Sequence, residues 1–444
     1  MISKFIKNKI PSLKKRTVFD KLTKLLELPD IIILMGMRQV GKTSLLYLLI
    51  DFLIRRKKIS ERNIFYLSLD DPLLLDSFNK NLKELEIFLE NQDVFEKQKV
   101  YVLIDEIQYL KDPSAFLKYY HDHPRHSNLK IIVTGSSSFE MRQKFKDSLA
   151  GRKKIIHVHP LSFIEFLSFK GTKTPPILSL ENLESSFLEI GEGVSAIDKE
   201  GLEKKFAEYL LFGGHPKVAN TNDKELKIEE LKDIYSSYIN KDIKDIGRIE
   251  NLSSYNNLIQ VLSSQIGNLV NIKELSNTLN LNHITLKKYL FLLEASFVIY
   301  FLKPFFKNKR KELSKMPKVY LEDLGLKNMI SSDFRNLSDR EPGALVENFV
   351  FNQLLKGLKV DERLFFWRTV SKNEIDFIFQ KNQEIIPIEV KYRNFQKPQV
   401  PFVFRSFMKG KNSHNALIIT KDFLGNIEKE GMNFYFLPAY LLNL

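Results

Sequence analysis

"IIILMGMRQVGKTSLL", residues 31–46, decides the fold of the first third of this chain. An uncharged apolar run from Ile31 to Met35 ends at Gly36; after four more residues, Gly41, Lys42 and Thr43 open a second apolar run. A strand feeding a glycine-bounded loop that opens a helix is the context in which this spacing binds phosphate. The glycines let the backbone curl so that several N–H groups face one anion at a helix N-terminus. In that geometry Lys42 bridges the β- and γ-phosphates of a nucleotide, and the Thr43 hydroxyl holds Mg²⁺. The expected nucleotide-binding residues are Gly36, Met37, Arg38, Gln39, Val40, Gly41, Lys42, Thr43 and Ser44.

"VYVLIDEIQYL", residues 100–110, supplies the complement. A buried strand delivers Asp105 to the C-terminal edge of a sheet, where it can hold Mg²⁺ through water, and Glu106 becomes the candidate base for the attacking water. An acidic pair after a strand is more often a helix cap; the upstream loop tips the reading to ATP hydrolysis. The next apolar run, "IIVTGSSS", ends in hydroxyls, and Thr134 or Ser136 is placed to sense a γ-phosphate, with a turn-forming role as the alternative. Arg152, in "SLAGRKKI", is a candidate arginine finger or a plain surface arginine.

Composition bounds the rest. The chain has 444 residues, 43% hydrophobic and 27% charged, which describes a soluble globular protein too long for one ordinary core. A formal net charge of +14 suits a polyanion partner, DNA above all, although a generally basic surface gives the same total. With no cysteine, disulfides and thiolate metal sites are excluded, which fits a cytoplasmic protein. The basic start "MISKFIKNKIPSLKKR" lacks an apolar core and is not a secretory signal. "SLLYLLIDFLI" is interrupted by Asp51 and too short to span a membrane.

Apolar runs alternate with helix-like stretches from residue 31 to about 165, which predicts an α/β domain with a parallel sheet. We divide the chain into a nucleotide-binding domain with a basic N-terminal helix (1–170), a turn-rich lid or insertion followed by helices (171–262), a winged-helix segment (263–316) and an α/β C-terminal domain (317–444). In "NIKELSNTLNLNHITLKKYL" two helices flank a short turn, and "FVIYFL" with "KPFF" would form the wing. His283, Thr285, Lys287 and Lys288 fall where a recognition helix meets a major groove, and "KNKRKELSKMPK" adds a basic stretch able to track phosphates. Such modules also serve as protein-binding or packing elements.

The C-terminal domain holds a hairpin, "EIDFIFQKNQEIIPIEVKY", with charges on strands that should be half-buried. Residues two apart share a face, so Glu389 and Lys391 project together and Asp376 comes alongside across the hairpin. Upstream, "GALVENFVFNQLLKGL" reads as an amphipathic helix carrying Glu347. The set Glu347, Asp376, Glu389 and Lys391 resembles the PD-(D/E)XK nuclease core, which implies that the acids hold Mg²⁺ and that Lys391 serves the chemistry. An ordinary hairpin with a cross-strand ion pair is the plainer reading. "HDHPRH" (121–126) lacks a matching acid or thiol ligand, and Pro124 suggests a solvated loop rather than a zinc site.

Taken together, "GMRQVGKTSLL", "VLIDEIQ", "IIVTGSSS", "LAGR" with "HPLSFIEFL", and "FGGHPKV" resemble a large group of prokaryotic AAA-type ATPases that carry a winged-helix segment and a nuclease-like C-terminal domain of unknown function. The resemblance spans nearly the whole chain. It implies ATP and Mg²⁺ as cofactors and leaves the task open; self-association is one option. Met37 departs from the group, where proline is commoner. Two other readings stay in play: a DNA-binding switch set by ATP that does not cut, and an ATPase directed at a protein partner.

Overall fold

The basic N-terminus is not one helix. Pro11 ends Lys4–Lys9 in a 3-10 turn, Ile10–Ser12, and a second helix, Val18–Lys24, follows. The computed structural model describes residues 4–90, 99–136, 149–194, 198–246, 249, 251–306, 315–408, 411 and 413–444. Thirteen strands run through them. Five form one sheet: β1 (Ile31–Gly36), β2 (Ile64–Ser68), β3 (Val100–Asp105), β4 (Leu129–Ser136) and β5 (Lys153–His157). Their order is β2-β3-β4-β1-β5 and every pair is parallel. β1 and β3 are buried at every position, as expected of strands covered on both faces. The C-terminal ends of β1, β3 and β4 bring Gly36, Asp105 and Ser136 to one edge.

The chain divides into two compact units. The first unit comprises Met1–His159 together with Ser236–Glu250 and Ala295–Phe297; the second holds Pro160–Tyr235, Asn251–Glu294 and Val298–Leu444. The first unit thus joins the chain up to His159 with a stretch from far downstream.

Within the second unit, residues 171–205 are not all loop. Helix Leu183–Val194 buries Leu183, Phe187 and Ile190. Helices Leu252–Ser264, Ile272–Leu279 and His283–Ala295 follow. Asn271 caps the second by accepting the Lys273 and Glu274 N–H groups, and Asn282 Oδ1 accepts the Thr285 N–H at the start of the third. The expected wing is different: β6 (Ile299–Leu302) pairs antiparallel with β7 (Lys318–Leu321), not with "KPFF". Residues 307–314 of the basic stretch lie outside the described residues.

The C-terminal sheet is mixed, in the order β12-β13-β11-β10-β9-β8. Its strands are β8 (Glu362–Arg368), β9 (Glu374–Lys381), β10 (Glu384–Val390), β11 (Asn415–Thr420), β12 (Gly425–Lys429) and β13 (Met432–Pro438). The hairpin is β9 and β10, with Ile388 opposite Phe377. Helix Gly343–Gly357 contributes Phe349, Val350 and Leu354 to a core with Phe377, Ile386 and Leu417. Helix Phe402–Met408 contributes Phe404 and Phe407 to a second core with Ile378 and Ile418. Both faces are therefore buried, including the one that carries Glu389.

"FGGHPKV" turns out to be a structural clasp. Asp323 accepts the N–H groups of Gly214 (2.8 Å) and Leu326 (2.9 Å), and buried His215 lies 3.4 Å from it. Gly213 has φ +71°, and a Cβ there would come 2.3 Å from Asp323 Oδ1, so only glycine fits.

Candidate functional site: a phosphate loop and a lysine-centred acid cluster

The phosphate loop leaves β1 at Gly36, where a Cβ would meet the Val158 carbonyl at 2.1 Å. Gln39 and Gly41 take positive φ values of 60° and 97°, and helix Lys42–Arg55 starts at once. Lys42 is buried, its Nζ donating to the carbonyls of Gly36 (3.0 Å) and Met37 (2.8 Å). Burial pushes its pKa down, against the charges of Glu106 and Asp242. Beneath the loop, Arg16 donates to the carbonyls of Val40 (2.9 Å) and His159 (3.0 Å). Sequence reasoning missed this prop, because Arg16 is one of many basic residues near the N-terminus.

Asp105 is the hub of a hydroxyl network. Its Oδ2 accepts from Thr43 (2.8 Å) and Tyr66 (2.9 Å), and its Oδ1 accepts from Thr134. Burial raises its pKa, while the bonds from Thr134, Thr43 and Tyr66 hold it down. Thr134 is fully buried and also accepts the Glu106 N–H (3.0 Å). Its hydroxyl thus orients the acidic pair. Tyr66 was also missed; its position on β2, one strand over from Asp105, was the available signal.

Glu106 takes a left-handed backbone conformation, φ 58° and ψ 47°, which is unusual for a glutamate and common at functional positions. Gln108 Nε2 donates to its carboxylate, and Gln108 Oε1 accepts the Ser136 N–H at 3.2 Å. Arg38 pairs with buried Asp242 at 3.0 Å.

Arg152 does not belong here. It lies at the start of β5, its carbonyl accepting the Ile31 N–H, while its guanidinium pairs with Asp122 at 2.6 Å. The loop leaves from the other end of β1, roughly 17 Å away at about 3.3 Å per residue. Arg152 is therefore no finger for its own chain's phosphate loop.

The hairpin acids meet a partner that the sequence reading did not name. Lys318, on β7, is almost completely buried, its Nζ 2.6 Å from Glu374 Oε1, 3.1 Å from Glu347 Oε1 and 3.6 Å from Asp376 Oδ1. Burial alone would lower its pKa, but Glu347, Asp376 and Glu374 outweigh that and raise it. Tyr320, two residues along the same strand, donates to Glu347 at 2.7 Å. Asp376 Oδ2 accepts the Val390 N–H (2.8 Å), Glu389 Oε2 accepts the Asp376 N–H (3.3 Å), and Lys391 pairs with Glu389 at 2.5 Å. Burial, followed by repulsion from Asp376, pushes both Glu347 and Glu389 up to about 7.

Of the expected Mg²⁺ ligands, Glu347 and Asp376 are thus gathered around the Lys318 ammonium, while Glu389 pairs with Lys391. Among the described residues, no group of three or more acid or imidazole side chains is arranged to hold a metal ion. In this arrangement two lysine ammoniums, Lys318 and Lys391, sit against the three acids. The "HDHPRH" stretch also differs from a solvated loop: it ends helix Pro113–Asp122 and forms a 3-10 turn, with His126 buried beside Tyr119 and Tyr120.

His283, Lys287 and Lys288 are exposed on helix His283–Ala295, with Thr285 half-buried between them. Among the described residues, no helix is long and apolar enough to cross a membrane.

Residues 29–167 match the AAA domain family. The N-terminal region is an AAA-type P-loop ATPase domain. Residues 203–338 and 342–441 match two domains of unknown function, DUF8612 and DUF4143. An uncharacterised protein of Haemophilus influenzae is 27% identical over 421 residues, spanning 92% of this chain and 94% of that protein. Another, from Methanocaldococcus jannaschii, is 28% identical over 389 residues, spanning 84% of this chain and 78% of that protein. Among solved structures, a Walker-type ATPase of Pyrococcus abyssi aligns with a TM-score of 0.43 and 17% identity, covering 71% of this chain and 95% of that one.

Proposed function

We propose that this protein binds and hydrolyses ATP with Mg²⁺ at the phosphate loop, and that the nucleotide drives a DNA-binding switch in its C-terminal half. The observation that carries the first part is Asp105, which accepts from Thr43 on one oxygen and from Thr134 on the other while Glu106 follows it in a strained turn. A hydroxyl and a carboxylate at the sheet's C-terminal edge suit Mg²⁺, which Thr43 would ligate directly and Asp105 through water. Bound there, the ion would neutralise charge developing on the phosphates. Lys42 would exchange its loop carbonyls for β- and γ-phosphate oxygens. Glu106, oriented by Gln108, would take the proton of the attacking water.

Net charge of +14 and the exposed His283, Lys287 and Lys288 on one helix support DNA binding. The placement of Asp376, Glu389 and Lys391 supports a nuclease-like domain. Lys318, seated among the acids, favours a domain that grips DNA over one that cuts it.

The test is to incubate the purified protein with single- and double-stranded DNA, with and without ATP and Mg²⁺ or Mn²⁺. The switch reading expects salt-sensitive binding that depends on ATP, weakened by Lys287→Glu with Lys288→Glu, and DNA left intact. Metal-dependent cleavage would restore the nuclease reading. Binding indifferent to salt and to those lysines would favour a protein partner.

A further inference from the structure

Arg38 is the third residue of the phosphate loop, and its partner is far away in sequence. Its Nε lies 3.0 Å from Asp242 Oδ2, with both side chains less than a tenth exposed, at 9% and 4%. Asp242 belongs to Tyr238–Ile246, a π-helical stretch in which Tyr238, Ile239 and Ile243 are buried and Tyr238 is hydrogen-bonded to Ser296 at 2.9 Å. Helices of that kind are rare and recur at functional sites. Arg38 also hydrogen-bonds the Tyr109 side chain and feels the charge of Glu106, the candidate base. Asp242 lies close enough to Lys42 to act on its charge.

One further detail points to a ligand. Arg38 Nη2 is buried and has no hydrogen-bond acceptor among the described residues. A buried guanidinium nitrogen without an acceptor is seldom left so, and Arg38 belongs to the same loop as Lys42, which is to meet the phosphates. Asp242 engages Arg38 through Nε, whereas a phosphate accepts from the guanidinium fork with more charge.

We propose that Arg38 is a second own-chain cation for the γ-phosphate, beside Lys42, and Asp242 its alternative partner, so that a nucleoside triphosphate draws Arg38 off Asp242 and loosens Tyr238–Ile246. A diphosphate reaches only the loop and Lys42 and leaves the pair intact. The segment thereby distinguishes ATP from ADP. It is also well placed in the chain to pass the difference on: Ser236–Glu250 belongs to the first unit, yet the chain continues into the second at Tyr235 and at Asn251. A change in the segment therefore pulls on covalently continuous chain at both ends. This inference rests on the ATPase reading above and adds to it which residue reads the γ-phosphate and which element responds.

The experiment compares affinities of the full-length protein for a non-hydrolysable ATP analogue and for ADP in wild type, Arg38→Gln, Asp242→Asn and Lys42→Ala. Hydrogen exchange of amides 238–246 is measured alongside. Arg38→Gln should lose roughly tenfold or more in affinity for the analogue and keep ADP within about threefold, as expected for one charged hydrogen-bonding partner. Asp242→Asn, which removes the competing anion and keeps the shape, should bind the analogue several-fold tighter, on the order of one weakened ion pair, with ADP unchanged. In wild type the segment should exchange faster with the analogue than with ADP, and Arg38→Gln should erase that difference. Equal loss of both nucleotides in Arg38→Gln, or exchange of the segment that ignores the nucleotide, overturns the proposal while leaving the ATPase reading standing. If wild type binds neither nucleotide, or Lys42→Ala binds both as well as wild type, the ATPase reading falls and this inference falls with it.

Discussion

Lys318 Nζ lies 2.6 Å from Glu374 Oε1, inside a cluster that also holds Glu347 and Asp376. The pairing explains how a hairpin packed on both faces tolerates its acids. Desolvating a carboxylate costs several kcal/mol unless a counter-charge with good geometry comes with it, and β7 supplies that charge. The network engages Glu347 Oε1 and both oxygens of Asp376 and of Glu389.

Replacing Lys318 with Met should therefore strand the acids. We expect a loss of about 3–5 kcal/mol in the unfolding transition of the second unit, the range for breaking a buried pair from one side. Millimolar Mg²⁺ should raise the melting temperature of Lys318→Met in calorimetry more than that of the wild type in the same transition, because the vacated acids gain a cation. An equal or larger rise in the wild type would mean that the acids hold metal despite the lysine.

The same acids set a pH dependence. Glu347 and Glu389 are raised to about 7 in the folded protein, from about 4.5 when unfolded. A raised carboxylate binds its proton more tightly when folded. Its contribution is complete below pH 4.5 and is lost as pH climbs through 7. Denaturant melts between pH 5 and 8 should show a decline of about 1–3 kcal/mol from this source. Glu389→Gln should flatten the slope; an unchanged slope would place the proton uptake elsewhere.

At the phosphate loop, Lys42→Ala should abolish ATP binding, because it removes the mobile charge on the β- and γ-phosphates. Glu106→Gln should bind ATP normally and hydrolyse it about 10²–10⁴-fold more slowly, the usual worth of a positioned base. Single-turnover kinetics separate the two defects, and normal turnover in Glu106→Gln would assign the base to another residue.

Thr134→Val tests whether that hydroxyl serves the acid or the phosphate. Removing it takes a hydrogen bond from buried Asp105 and an acceptor from the Glu106 N–H. Apparent Mg²⁺ affinity in the ATPase assay should fall roughly tenfold or more, as when an outer partner of a metal ligand is lost. A slower maximal rate at unchanged Mg²⁺ dependence would restore a γ-phosphate role for Thr134.

The phosphate loop was legible in sequence because its chemistry is local. Gly36, Gly41, Lys42 and Thr43 act through one turn of backbone and one helix start, and the apolar runs beside them fix the strand and the helix. Asp105 and Glu106 were legible for the same reason. What escaped was every partner drawn from a distant segment: Arg16 under the loop, Tyr66 on Asp105, Asp242 on Arg38 and Lys318 among the acids. None carries a sequence signature of its own, because a lone basic, aromatic or acidic residue looks the same on a surface as in a core. Their roles come from long-range packing, which decides which charges share a low-dielectric pocket and so which need each other. The hairpin shows both halves of this. Alternation placed Glu389 beside Lys391 and opposite Asp376, while only the packing of β7 decided that the acids would meet an ammonium.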